Sequence, residues 1–138
     1  MANLSITAAT VGMTSTAPGK RTVIYGEAVT EGQVVYLKTA DGKYWVASNA
    51  TEDPSAAAGI ALTPGQADDR GEIATSGNIN IGATLEVGTL YVLSTAGLMS
   101  THSDILEDDW VTLIGWAVAA DQLRIAIVQT GIQQAAIA

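Results

Sequence analysis

Apolar positions along the chain come in short runs, many of them alternating with polar neighbours, and glycine-containing turns separate the runs. Runs of this length rich in Val, Ile, Thr, Tyr and Leu predict β-strands. Residues 22–25 (TVIY), 34–38 (VVYLK), 44–47 (YWVA), 59–62 (GIAL), 72–75 (EIAT), 78–81 (NINI), 85–87 (LEV), 90–94 (LYVLS), 110–118 (WVTLIGWAV) and 123–128 (LRIAIV) fit that description. Asp41-Gly42 is the strongest hairpin signal, because glycine accepts positive φ without a Cβ penalty. Pro54 marks residues 48–58 as loop, and Thr63-Pro64-Gly65 reads as a turn. Residues 100–109 alone have helical character, with Asp104 a candidate cap for a turn carrying Ile105 and Leu106. No segment keeps a 3.6-residue period over 15 residues, so the expected class is all-β.

The pattern is also repeated. Val34, Val35, Tyr36 and Leu37, a turn at Asp41-Gly42, and then Gly59-Ile60-Ala61-Leu62 are echoed by Leu90, Tyr91, Val92 and Leu93, a turn at Ala96-Gly97, and then Gly115-Trp116-Ala117-Val118. Tyr36 precedes Gly59 by 23 residues and Tyr91 precedes Gly115 by 24. Glu72-Ile73-Ala74 before Gly77 is echoed in turn by Arg124-Ile125-Ala126 before Gly131. Two half-domains with one strand order suggest a single closed or nearly closed β-structure, a small barrel.

At 138 residues the chain is long enough for one domain with a sizeable core. Cysteine is absent, which excludes disulfides, thiolate metal sites and cysteine nucleophiles. The apolar set is mostly Ala, Val, Ile and Leu with no Phe, so the strands are expected to pack closely. No apolar run has the length of a membrane span, and the N-terminus lacks the regions of a signal peptide, so the expectation is a soluble protein made in a cytoplasm, without a membrane partner. The net charge of −8 argues against direct nucleic-acid binding, which needs clustered Lys and Arg. Its distribution is uneven: four bases and three acids through residue 50, then two bases against eleven acids. That asymmetry hints that the first third meets a partner while the rest carries the solvated face.

Catalytic and metal-binding patterns are missing. His102 is the only histidine, no Gly-x-Ser-x-Gly turn presents a nucleophile, and His102 beside Ser103 and Asp104 reads as a loop residue. No phosphate-binding loop occurs. Glu52-Asp53, Asp68-Asp69 and Glu107-Asp108-Asp109 lack the alternating spacing of a calcium loop and read as solvated charge. Trp45, Trp110 and Trp116 with Tyr25, Tyr36, Tyr44 and Tyr91 mostly sit in apolar runs, which favours core or subunit contacts over a stacking surface. The expected assignment is therefore no catalytic residue, no metal and no cofactor.

Residues 1–20 are rich in Ala, Thr and Ser, with Leu4 and Ile6 alternating like a short strand, and no sequence neighbour offers them a hairpin partner. The expected organisation is an N-terminal arm over 1–20, a β-rich domain over 21–130 and a tail over 131–138. Leu4 and Ile6 of the arm, with the adjacent Lys20 and Arg21, are the candidate partner-binding residues, the alternative being a terminus with no role.

From about residue 27 to residue 128 the chain resembles the capsid cement, or head decoration, proteins of tailed bacteriophages. The resemblance is carried by Gly-Glu-Ala-Val-Thr-Glu-Gly-Gln-Val-Val-Tyr-Leu (residues 26–37), Gly59-Ile60-Ala61-Leu62-Thr63, the glycine-delimited strands of residues 72–88, and Gly115-Trp116-Ala117-Val118. It implies a β-barrel or β-tulip-like domain without enzymatic activity on the outer surface of the virion head. It further implies a homotrimer whose partner is the major capsid protein, with the arm extending onto the shell or a neighbouring subunit. A second expectation, from the aromatic residues, is a tail or surface module that binds a host glycan.

Overall fold

A computed structural model describes residues 6, 11–13, 19–49, 56–81, 85–94, 97–101 and 110–133. Among them eleven strands form and no helix: β1 (Gly12–Met13), β2 (Lys20–Ile24), β3 (Val34–Lys38), β4 (Lys43–Val46), β5 (Ala57–Ala61), β6 (Arg70–Ala74), β7 (Gly77–Asn80), β8 (Leu90–Leu93), β9 (Met99–Thr101), β10 (Trp110–Ala119) and β11 (Gln122–Gln133). The protein is all-β. Leu4, Pro54, the acidic pairs and triplet other than Asp68-Asp69, His102 and the expected turn at Asp104 lie outside the described residues.

The strands make two antiparallel sheets, one of six strands in the order β1-β7-β11-β10-β8-β9 and one of five in the order β2-β6-β5-β3-β4. Aligned from the hairpin end, these orders are the same. Each half has an outer hairpin strand (β4 or β9), its partner (β3 or β8), the glycine strand (β5 or β10), a last strand (β6 or β11) and then the strand that precedes the hairpin (β2 or β7). The internal repeat is thus a repeat of topology.

Register corrects the sequence alignment by one residue. Val35 lies opposite Gly59 and Tyr91 opposite Gly115, so Val35, rather than Tyr36, is the counterpart of Tyr91. The spacing to the glycine is then 24 residues in both halves. In both, a bulge follows: Ala58 is skipped between Gly59 and Ala57, and Ile114 between Gly115 and Leu113. Burial agrees, since Val35 and Tyr91 are both buried while Tyr36 is half-buried.

Two apolar cores result. The main one fills the space between the sheets with Val34, Ile60 and Ala74 from one side and Ile79, Tyr91, Leu93, Ile114, Leu123 and Ile125 from the other. The second lies on the opposite face of the five-stranded sheet and holds Val23, Tyr25, Val35, Tyr44, Ala61 and Ile73. This sheet curls over its own second core until its edges touch at one parallel bridge, Tyr25 to Tyr44. There Gly26 N–H donates to the Tyr44 carbonyl at 2.8 Å, and Val46 N–H donates to the Glu27 carboxylate at 3.0 Å. β4 begins only at Lys43, so it offers no length to pair with β2. The described strands therefore form two open sheets, one of them barrel-like, rather than one closed barrel.

The hairpins interlock the halves. Val34 N–H donates to the Gly97 carbonyl at 2.8 Å, and Gly97 N–H donates to the Ala47 carbonyl at 2.7 Å. Gly97 has φ +71°, and a Cβ there would lie 2.8 Å from Val46 Cγ1 and 3.0 Å from the Val34 carbonyl oxygen. Glycine is required on both counts.

Several boundaries differ from the sequence reading, most by one or two residues, and β9 is unexpected, because Ser100 and Thr101 belong to the stretch read as helical. Residues 85–87 form no strand: Leu85 is buried, and the chain turns at Val87-Gly88, with φ +85° at Gly88, to enter β8. β5 starts at Ala57 rather than at Gly59, and β11 runs to Gln133, three residues into the expected tail.

Candidate interaction surface

The candidate partner-binding residues fall in two places. Ile6 is half-buried against the main core, and its Cγ2 lies 2.8 Å from where a Cβ on Gly32 would stand. Farther along the same segment β1 pairs with β7, Gly12 with Asn80 and Met13 with Ile79. The described part of the arm thus packs on its own body. Lys20 and Arg21 lie on β2, an outer strand of the five-stranded sheet. Lys20 Nζ is 3.8 Å from Glu72 Oε2, and both side chains are about half exposed. Arg21 donates to Tyr44 Oη at 3.2 Å, across the mouth of the second core. Lys20 and Arg21 are neighbours on β2 whose side chains leave opposite faces of the sheet, toward Glu72 and Tyr44, and the structure does not join them to Ile6.

The charged groups of this half are mostly partnered. Lys43 contacts Asp68, whose carboxylate accepts its hydrogen bond and holds the ammonium above its ordinary pKa. Asp41 accepts from Lys43 N–H at 2.9 Å and from Trp45 Nε1–H at 3.1 Å; the backbone bond is the main reason its carboxyl sits below the usual range. Lys38 rests over the Trp45 ring at 4.3 Å. Tyr25, fully buried, donates its hydroxyl to the Thr63 carbonyl at 2.8 Å, and burial pushes its phenol above the ordinary tyrosine value.

No enclosed cavity gathers reactive groups among the described residues. An open cleft of about 430 Å³ runs past Tyr36, Lys38, Ala56 and Gln129, and a shallower groove lies over Thr22, Thr63, Arg70 and Glu72. Among the described residues no group of three or more His, Asp or Glu side chains converges as a metal site would. No described helix is long and apolar enough to cross a membrane.

The feature that sequence reasoning missed is on the outer face of the six-stranded sheet. Leu90 on β8 lies opposite Trp116 on β10, and Trp116 lies opposite Arg124 on β11. Leu90 is 40% exposed, Trp116 37%, Val118 39% and Val87 66%. The Arg124 guanidinium sits 5.9 Å from the Trp116 ring centroid. In sequence IGWAVA reads as a strand buried on both faces, and nothing local distinguishes a covered face from an open one.

No family model matches the chain, and no curated protein matches it significantly.

Proposed function

We propose that this chain is a structural, non-enzymatic capsid decoration protein of a tailed bacteriophage. It is made in the host cytoplasm, binds the outer surface of the head and bridges major capsid subunits. Its partners are the major capsid protein and further copies of itself. The observation that supports this reading is the order of the resembling segments over residues 27–128, which fall on β3, β5 and β6 of one sheet and on β7 and β10 of the other, with β5 and β10 in corresponding places.

The physical requirements agree with that role. A cement protein needs a rigid body, closely spaced copies and surface to offer. Two packed sheets give the rigidity, and the outer strands of the six-stranded sheet are places where another chain can add. Such a mechanism works through area and valency. A contact of standard size gives micromolar to nanomolar affinity, and several linked contacts on a symmetric lattice raise the effective affinity by a factor of about 10² or more. The glycan-binding alternative needs aromatic rings on a loop face. Here six of the seven Trp and Tyr residues lie within strands, and Tyr25, the seventh, is fully buried just after β2.

The test is cosedimentation of the purified protein with capsids that lack it, followed by electron cryomicroscopy of the loaded particles. Saturable binding, with density at regular lattice positions outside the shell, is the expected result. Folded protein that stays in the supernatant at every concentration would overturn the proposal.

A further inference from the structure

The topological repeat makes the two halves comparable face by face. Val34 opposite Ile60, and Ile60 opposite Ala74, correspond to Leu90 opposite Trp116, and Trp116 opposite Arg124. In the first half this face is fully buried, because the six-stranded sheet packs on it. In the second half the corresponding face is apolar and open. Leu90, Trp116, Val118 and the adjoining Val87 leave roughly 300 Å² of apolar surface exposed, in the range of the largest patch on a soluble monomer and often functional. A standard interface of about 800 Å² per partner is a little over half apolar, so the patch supplies most of what one side requires.

We infer that this face, centred on Trp116 and Leu90, docks the same face of a second copy of this chain, sheet on sheet. Two observations choose that occupant. The first is which sheet faces are free. In each half the reverse face of the sheet is already covered: Val35, Ala61 and Ile73 lie inside the second core, and their counterparts Tyr91, Ala117 and Leu123 lie inside the main core. A neighbouring copy therefore does not receive Trp116 on a reverse face, and among the described residues the open sheet face that it has to offer is the Trp116 face itself. Patch against patch is the self-complementary contact that a two-fold axis generates, and aligned sheets pack this way at a spacing of about 10 Å.

The second is charge. From residue 77 onward the chain has six acids and a single base, Arg124. That base lies over Trp116, and among the described residues no carboxylate pairs with it. Exposed Glu86 lies just before the Val87-Gly88 turn that leads into β8, and exposed Asp121 lies in the turn between β10 and β11. A patch with one cation and acids at its margin suits an identical partner, since the Arg124 of each copy meets the acidic margin of the other, and it offsets locally the repulsion between two chains of net charge −8.

The inference does not rest on the shell-binding reading, and its test uses no capsid. Light scattering on the eluting full-length protein should give a mass of two chains, about twice 14.2 kDa, at micromolar concentration. Trp116→Glu and Leu90→Glu should each shift it to one chain, raising the dissociation constant at least a hundredfold, with the unfolding transition of the monomer still cooperative. Trp116→Phe, which keeps the apolar contact, should remain paired. A wild-type mass of one chain at 100 µM would overturn the inference. So would an assembly that neither Glu variant disturbs.

Discussion

Gly115 is where the fold is least tolerant of one added carbon. A Cβ built there stands 1.9 Å from the Arg124 carbonyl oxygen and 2.9 Å from its carbon. Carbon and oxygen approach no closer than about 3.3 Å without repulsion, so β11 would have to retreat by more than 1 Å. Its neighbours oppose this, because Leu123 and Ile125 on either side are buried in the main core. Retreat lengthens one or two ladder hydrogen bonds, each worth about 1 kcal/mol net, and disturbs packing at a further ~1–3 kcal/mol. Gly115→Ala should therefore destabilise by about 2–5 kcal/mol, or roughly 6–20 °C in Tm for a domain of this size. Gly59 is the counterpart in the other half, and its Cβ would meet the corresponding carbonyl, that of Ala74, at 2.6 Å. Gly59→Ala should cost less, about 1–2 kcal/mol. Gly88→Ala is the control: φ is +85° and nothing lies within 4 Å, which leaves only the backbone term of about 1 kcal/mol. Urea unfolding of the three variants measures the order. If Gly115→Ala fell within 1 kcal/mol of Gly88→Ala, the close approach of β10 and β11 would not be the constraint described.

Two predictions concern titrating groups. Tyr25→Phe removes the hydroxyl that satisfies the Thr63 carbonyl and should cost about 1–2 kcal/mol at pH 7 by urea unfolding. Because burial raises the Tyr25 pKa, the folded state holds its proton longer than the unfolded chain does. Stability from this group is intact below about pH 10 and is lost as pH rises further, so the wild type should weaken there more steeply than Tyr25→Phe. Asp41 has a lowered pKa, chiefly through Lys43 N–H, so its contribution is present above about pH 4 and fades as pH falls. Asp41→Ala should be less stable than wild type at pH 7, and the two should converge in acid; a gap that persists at pH 2 would mean that Asp41 acts through something other than its charge.

Strand type was legible because period-two runs and glycine punctuation leave little alternative, and the first hairpin was legible from Asp41-Gly42, where Gly42 adopts φ +70°. The repeat was legible in outline and misaligned by one residue. Tyrosine looks like the anchor in both halves, yet side-chain parity makes Val35 the counterpart of Tyr91, and only pairing across to Gly59 and Gly115 reveals it. The short stretch 85–87 reads as a strand by composition. It is instead held by Leu85 N–H on the Ala120 carbonyl, a contact distant in sequence, and by Glu86 N–H on Tyr91 Oη, a side-chain bond that a period-two pattern does not encode. Lys20 and Arg21 were legible as exposed bases, whereas the return of Ile6 to its own core was not.

The difference between the halves, rather than their likeness, determines what the molecule can offer a partner. One sheet bends until Tyr25 meets Tyr44, encloses a core of its own and packs its other face on its sister. Gly71 and Gly65 permit that bend, since a Cβ at either would lie within 2.7 Å of the Tyr25 ring. The sister sheet has Asp121 at the step that corresponds to Gly71, just beyond the last pair of the β7–β11 ladder, Gln122 with Asn80, and has ten- and twelve-residue strands β10 and β11 at its centre. The face that curls inward in the first half corresponds in the second to the face of Tyr91, Ala117 and Leu123, which covers the main core, so Leu90 and Trp116 on the other face remain outside. A repeat of one topology has thus produced one sheet curled upon itself and one left with an apolar face, and a face of that kind is stable in water chiefly when another surface covers it.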